Sequence, residues 1–157
     1  MSRPGGLFSK SYPFLSSVPP QGIEIKAVIF DDDTGEGDSL AVRQIEDSRL
    51  GQQIQMHRAI KELQSFLAKG PGDVSEFKRK LTTALDSQDD DTLNVLAELK
   101  PSRAATKHPL SAKLREGLNN GQQTVLRRLS EAEATNSNES FVEMKESYER
   151  ILRRCAN

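Results

Sequence analysis

Tryptophan is absent from this chain, cysteine occurs once, and histidine and tyrosine occur twice each. The lone Cys155 excludes an intramolecular disulfide and any cysteine-built zinc site. His57 and His108 lie far apart and in no ligand spacing, so neither a metal site nor a cofactor is expected. No apolar run approaches the roughly 18 residues that a membrane span requires. Pro4, Pro13, Pro19 and Pro20 break up any signal-peptide core. The expectation is a cytoplasmic or nuclear protein with no membrane partner.

Apolar residues are also scarce. They make up 35% of the chain, and aromatics 5%, against a usual apolar share of roughly 45–50% with glycine included. Either the core is small or part of the chain lies outside it. Charge placement favours the second. Through Ser48 there are 4 Lys and Arg against 8 Asp and Glu; from Arg49 onward there are 18 against 15. An acidic head on a mildly basic body argues against strong nonspecific binding of nucleic acid, which stays a minor partner class. The chain therefore reads as an acidic, extended and partly disordered arm over 1–48 and a helical bundle over 49–157.

The first 21 residues are rich in Pro, Gly and Ser, which oppose helix and strand alike and predict a mobile tail. Leu7-Phe8 and Tyr12-Pro13-Phe14-Leu15 are apolar islands within it. They either fold back on the bundle or order on a partner, which makes Phe8, Tyr12 and Phe14 candidate docking residues. From Gly22 to Phe30, Ile23, Ile25, Ala27 and Ile29 alternate with Glu24, Lys26 and Val28, the pattern of a strand. No second run resembles it. A lone strand leaves its backbone groups unpaired, so the segment either takes an edge from a symmetry mate or another subunit or lies extended on the helices without a sheet. Ile23, Ile25 and Ile29 thus join the docking candidates, and a homo-oligomer joins the partner classes.

Asp31-Asp32-Asp33-Thr34-Gly35-Glu36-Gly37-Asp38 follows. An apolar strand ending in Asp31-x-Asp33 resembles the nucleophile strand of haloacid-dehalogenase-type phosphatases. That resemblance implies a phosphoryl-accepting Asp31, a proton-handling Asp33 and magnesium. It covers about ten residues. The family's Gly-then-Thr is reversed here as Thr34-Gly35, and the further strands that its fold requires do not follow. No register of the three aspartates satisfies a calcium loop either. A solvated acidic linker, and no enzyme, is the expectation.

From Ser39 the apolar period turns helical. Leu40, Val42, Ile45, Leu50, Ile54, Met56, Ala59, Ile60, Leu63, Phe66 and Leu67 thread a run stopped by Gly70-Pro71-Gly72. The polar middle Arg49 to Gln53, with Gly51, speaks against one straight helix, so the helix is expected over Gln52–Lys69. Asp73 with Glu76 predicts a capping box for a helix carrying Val74, Phe77, Leu81, Ala84 and Leu85. A short helix from about Thr92 carries Leu93, Val95, Leu96 and Leu99 and ends at Pro101. Leu110, Leu114 and Leu118 predict another, stopped by Asn119-Asn120-Gly121, and Val125, Leu126, Leu129 and Ala132 continue the period. Ser140 with Glu143 reads as the cap of a closing helix bearing Phe141, Met144, Tyr148, Ile151, Leu152 and Cys155. Tyr148 falls at the edge of that stripe and is a further docking candidate. Cys155 reads as a small buried hydrophobe.

The predicted fold is all-α: a compact bundle of five or six short amphipathic helices preceded by the arm with one strand. Lys78-Arg79-Lys80 reads as a solvated helix face, and Arg127-Arg128-Leu129-Ser130 has the form that basophilic kinases favour, making Ser130 a candidate phosphosite. Leu93 to Arg153 is faintly similar to the N-terminal helical bundle of S-II-type transcription elongation factors. The likeness rests on Leu96-Ala97-Glu98-Leu99-Lys100, on Gly121 with Leu126-Arg127-Arg128, and on Phe141 to Leu152. The tryptophan of that family's last helix is missing. The expected function is a non-enzymatic protein–protein interaction module, an adaptor or complex subunit. The alternative is a cellular or viral transcription- or polymerase-associated regulatory factor working near nucleic acid.

Overall fold

The computed structural model describes residues 24–30, 34–70, 72–86, 89–135 and 137–155. Within them the protein is an all-α bundle with a small β-ribbon laid on its first helix. Strands β1 (Ala27–Ile29) and β2 (Gly35–Gly37) precede helices α1 (Ser39–Ala68), α2 (Val74–Leu85), α3 (Asp89–Leu99), α4 (Pro101–Ala104), α5 (Ala112–Thr135) and α6 (Asn138–Cys155). Phe8, Tyr12, Phe14 and Ile23, the Asp31–Asp33 run and the Cys155 side chain lie outside what is described.

Helix α1 is the spine. It runs unbroken for 30 residues, so residues 39–48, assigned to the arm from sequence, form its first turns. Asp38 caps it by accepting the Ala41 amide at 2.9 Å. It ends at Gly70, whose φ of +78° is the left-handed conformation that glycine adopts without a Cβ penalty. Gly51 does not break it, because that position is where α5 crosses. A Cβ on Gly51 would strike the Leu114 carbonyl oxygen, and one on Gly117 would strike the Ser48 carbonyl oxygen. A Cβ on Gly121 would lie 2.9 Å from the Gln52 Cα. The three glycines let two backbones touch. The same contact overrides the stop expected at Asn119-Asn120-Gly121: α5 passes straight through, with Gly121 buried against α1. We expect Gly117→Ala to lower stability by about 3 kcal/mol in urea unfolding, since relief requires the two helices to part.

Two cores sit along α1. The larger joins Met56, Ala59, Ile60, Leu63 and Phe66 to Phe77, Leu81 and Leu85 of α2, Val125, Leu129 and Ala132 of α5, and Phe141, Met144 and Tyr148 of α6. At its end Phe66 stacks on Phe77 with centroids 4.4 Å apart, and Phe141 meets both edge-on at 5.3 and 5.9 Å. The smaller core joins Leu50 and Ile54 to Val95, Leu96 and Leu114. A buried polar belt lies between them. Gln55 Nε2 donates to the Leu85 and Leu118 carbonyls at 3.0 and 3.3 Å. Arg58 donates to Gln55 Oε1, Asp91 Oδ2 and Thr92 Oγ1 at 3.2, 2.8 and 2.8 Å. These bonds satisfy the end of α2 and the start of α3, which begins at Asp89 rather than Thr92.

Caps differ from the sequence reading in two places. Asp73 caps α2 as expected, accepting the Ser75 amide at 2.8 Å, while Glu76 instead pairs with Lys80 at 2.6 Å. Helix α6 starts before Ser140. Ser137 supplies the cap, its hydroxyl accepting the Glu139 amide at 3.2 Å, and the Ser140 hydroxyl meets that of Thr135 at 2.6 Å.

Candidate partner-docking site

The lone strand finds its mate inside the chain. β1 pairs antiparallel with β2 in the register Ala27↔Gly37, Val28↔Glu36 and Ile29↔Gly35. Gly-Glu-Gly carries no β-propensity, which is why the sequence showed no second strand. Geometry explains its composition instead. A Cβ on Gly35 would lie 2.6 Å from the Val42 Cγ1, and Gly37 has φ +115° beside the Lys26 carbonyl. The ribbon therefore lies flat on α1, and glycine is what fits beneath it. The segment expected to be strand over 22–30 is strand only at Ala27–Ile29.

Cross-strand bonds flank this register. The Asp38 amide donates to the Lys26 carbonyl and the Phe30 amide to the Thr34 carbonyl, each at 2.8 Å. In an antiparallel ladder such pairs alternate, so Val28 and Glu36 also face inward while Ala27 and Ile29 turn their backbone groups outward. Arg49 of α1 takes the outward Ile29 carbonyl, to which its guanidinium donates at 3.0 Å, and also donates to the Phe30 carbonyl at the ribbon's end at 3.2 Å. Those bonds fasten the ribbon to the helix. Side chains sort the same way. Ile29 is buried on α1, whereas Val28 and Phe30 are 40% and 45% exposed on the opposite face, and Ile25 and Leu40 stand out at 74% and 63%. These exposed apolar side chains belong to the ribbon, the residues leading into it and the first turn of α1.

Each ribbon edge opens on a groove. Beside β2, a cleft of about 600 Å³ is lined by Gly35, Gly37, Arg43, Glu46, Lys100 and Arg103 among others. Its far wall is fixed by a network absent from the sequence reading. Asp47, 6% exposed, accepts from Arg103 Nε and Nη2 at 2.9 and 2.8 Å and from the Ser111 hydroxyl at 2.5 Å. Arg103 Nη1 also donates to Thr106 Oγ1 at 2.8 Å. One carboxylate thus holds the loop after α3 to α1. Beside β1, a groove of about 650 Å³ runs between Glu24–Ala27 and the faces of α1 and α5.

The remaining candidates are scattered. Ile29 is a packing residue. Tyr148 is 3% exposed within the larger core, not at the edge of the stripe, and Ile151 is 36% exposed. Starting α6 at Asn138 and crossing it over α1 turns Tyr148 inward and Ile151 outward. The Tyr148 hydroxyl has no hydrogen-bond partner among the described residues, and burial pushes its pKa up to about 12. Ser130 is exposed in the C-terminal part of α5, its hydroxyl donating to the Leu126 carbonyl at 3.1 Å. Lys78 and Lys80 of the basic face are paired with Glu133 and Glu76. Among the described residues no group of three His, Cys, Asp or Glu side chains converges to hold a metal ion. Nor is any described helix long and apolar enough to cross a membrane.

No protein-family model, no curated protein and no solved structure matches the chain.

Proposed function

We propose that this protein is a non-enzymatic interaction module, an adaptor or complex subunit of the cytoplasm or nucleus, that docks a protein partner through the ribbon end of α1. The observation that carries this reading is the grouping of Ile25, Val28, Phe30 and Leu40, all exposed, around a two-stranded ribbon. The other exposed large apolar side chains, Val142 and Ile151, lie on α6; the concentration on the ribbon and the start of α1 is what favours a contact there. The S-II-like alternative, a factor working beside nucleic acid, finds less support, because Lys78 and Lys80 of the basic cluster are each neutralised by a carboxylate on the bundle itself.

Phe30→Asp and Leu40→Asp test the proposal by affinity capture beside the wild-type chain. Both sites are exposed, so each variant should melt within about 0.5 kcal/mol of wild type. The expected result is loss, in both variants, of specific proteins retained by wild type. An unchanged set of captured proteins would sink it.

A further inference from the structure

Arg127-Arg128-Leu129-Ser130 lies in regular helix within α5. Arginine-directed serine kinases bind such a tetrad as an extended strand, with the guanidiniums in acidic subsites and the hydroxyl beside the γ-phosphate of ATP. We infer that Ser130 is a phosphate acceptor which the fold withholds from these kinases, and which they modify only in chains whose α5 has opened. This goes beyond the docking reading and does not depend on it. The reaction is phosphoryl transfer from magnesium ATP. The Ser130 Oγ–P bond forms and the bond from the γ-phosphorus to the bridging β–γ oxygen breaks. ADP leaves with that electron pair, and the hydroxyl proton passes to the kinase's aspartate.

Exposure alone would offer the site, since Ser130, Arg127 and Arg128 are all exposed. Three features of the folded segment keep it from a kinase cleft. Leu129 is fully buried (0%) and belongs to the larger core, so drawing 127–131 into a strand takes it out of a core that α1, α2 and α6 also build. Reach is the second. From Arg127 to Ser130 the helix rises only about 4.5 Å, whereas three extended residues span about 10 Å. Direction is the third. Residues two apart share a face of a strand but do not face each other on a helix. Arg128 lines the groove between α5 and α6 and approaches Glu131 at 3.8 Å, while Ser130 turns its hydroxyl back onto the Leu126 carbonyl. Fraying from the helix end is resisted as well. Ala132 is buried, and the Thr135 hydroxyl ties to the Ala132 carbonyl at 2.7 Å and to the Ser140 hydroxyl at 2.6 Å. A modified chain can close again. The phosphate would stand in solvent, with exposed Arg127 three residues back to meet it, and Glu133, three residues on, already held by Lys78 at 2.9 Å. Phosphate on Ser130 then records an opening that has since closed.

The test compares the full chain with a synthetic peptide of residues 123–135. Both are treated with the catalytic subunit of cyclic-AMP-dependent kinase and magnesium ATP, and phosphate on Ser130 is mapped and timed. Both substrates carry the same residues around Ser130, Glu131 included, so the ratio of their rates reads the fold alone. The peptide is expected to accept phosphate, and the folded chain to do so at least about 100-fold more slowly, because a rate through an open state scales with its population. Leu63→Ala opens a cavity in the same core from α1, outside the tetrad. It should speed the full chain at least about tenfold towards the peptide's rate. Phosphorylated Leu63→Ala should melt within about 2 °C of its unmodified form. Labelling of the folded wild-type chain at the peptide's rate would show that α5 withholds nothing. Equal rates for wild type and Leu63→Ala would show that opening of the core is not the gate, and a peptide left unmodified that Ser130 is no acceptor. Each of these overturns the inference. A midpoint lowered well beyond that margin would overturn the closing of the modified chain.

Discussion

Tyr148→Ala should lower unfolding stability by about 3–5 kcal/mol, the usual cost of deleting a buried aromatic ring, while Ile151→Ala should cost less than about 1 kcal/mol. Periodicity alone predicts the opposite order. The reversal comes from burial: Tyr148 is 3% exposed and Ile151 36%. The hydroxyl adds a second signature. Left without a partner among the described residues, it carries a desolvation cost that Tyr148→Phe removes, so that variant should be more stable than wild type by about 1 kcal/mol. Linkage gives the pH dependence. The folded-state pKa, pushed up to about 12, lies above the unfolded value near 10, so the folded protein holds the proton more tightly. Stability is unaffected below about pH 10 and falls as pH rises from there towards 12. Urea unfolding across that range, wild type beside Tyr148→Phe, should show the extra fall only in wild type. Equal alkaline profiles, or an intact fold in Tyr148→Ala with unchanged midpoint, would refute the buried placement.

Asp47→Ala should cost a comparable about 3–5 kcal/mol, because it strands a buried cation. The side chains of Arg103 and Asp47 are 14% and 8% exposed, and the carboxylate also accepts the Ser111 hydroxyl. Removing the anion leaves the guanidinium with Thr106 and a backbone carbonyl as acceptors but with no countercharge. The double variant Asp47→Ala with Arg103→Met should recover much of the loss, since an apolar side chain of similar length needs no countercharge. The measurement is the double-mutant cycle in urea. If the double variant is no more stable than Asp47→Ala, the pair is not the cause. Loss of this tie also frees the loop after α3 from α1, so hydrogen exchange should rise over residues 100–111 in Asp47→Ala and stay unchanged at Leu63 and Leu129 in the larger core.

Local chemistry made most of the fold legible. Apolar spacing of three and four marks α2 and α6 and most of α1, and the caps at Asp73 and Gly70 stand where the residue types require them. Failures cluster where a glycine answers to a neighbour rather than to its own segment. Gly51 and Gly121 read as breaks, and Gly35 and Gly37 read as linker, because propensity measures isolated backbone. In the folded chain each occupies a contact that a Cβ would obstruct. The docking surface was half legible. Ile25 was singled out by alternation and is exposed, but Ile29 on the same alternation is buried, and Phe30 and Leu40 were not singled out for docking at all. Asp47 and Arg103, 56 positions apart, gave no signal, since a single carboxylate in an acidic head looks like every other.

By itself the amino-acid sequence determined that this chain is helical, that its helices carry one apolar face each, and where several of them begin and end. Those properties follow from backbone propensity, side-chain period and capping, all read within a few residues. Only the tertiary structure decided that α1 is one 30-residue helix, that α5 crosses it at glycines, that a Gly-Glu-Gly segment completes a ribbon, and which of Tyr148 and Ile151 is inside. Each of these depends on what a distant part of the chain brings within van der Waals reach, where steric exclusion and desolvation outweigh the fraction of a kcal/mol by which local preferences differ.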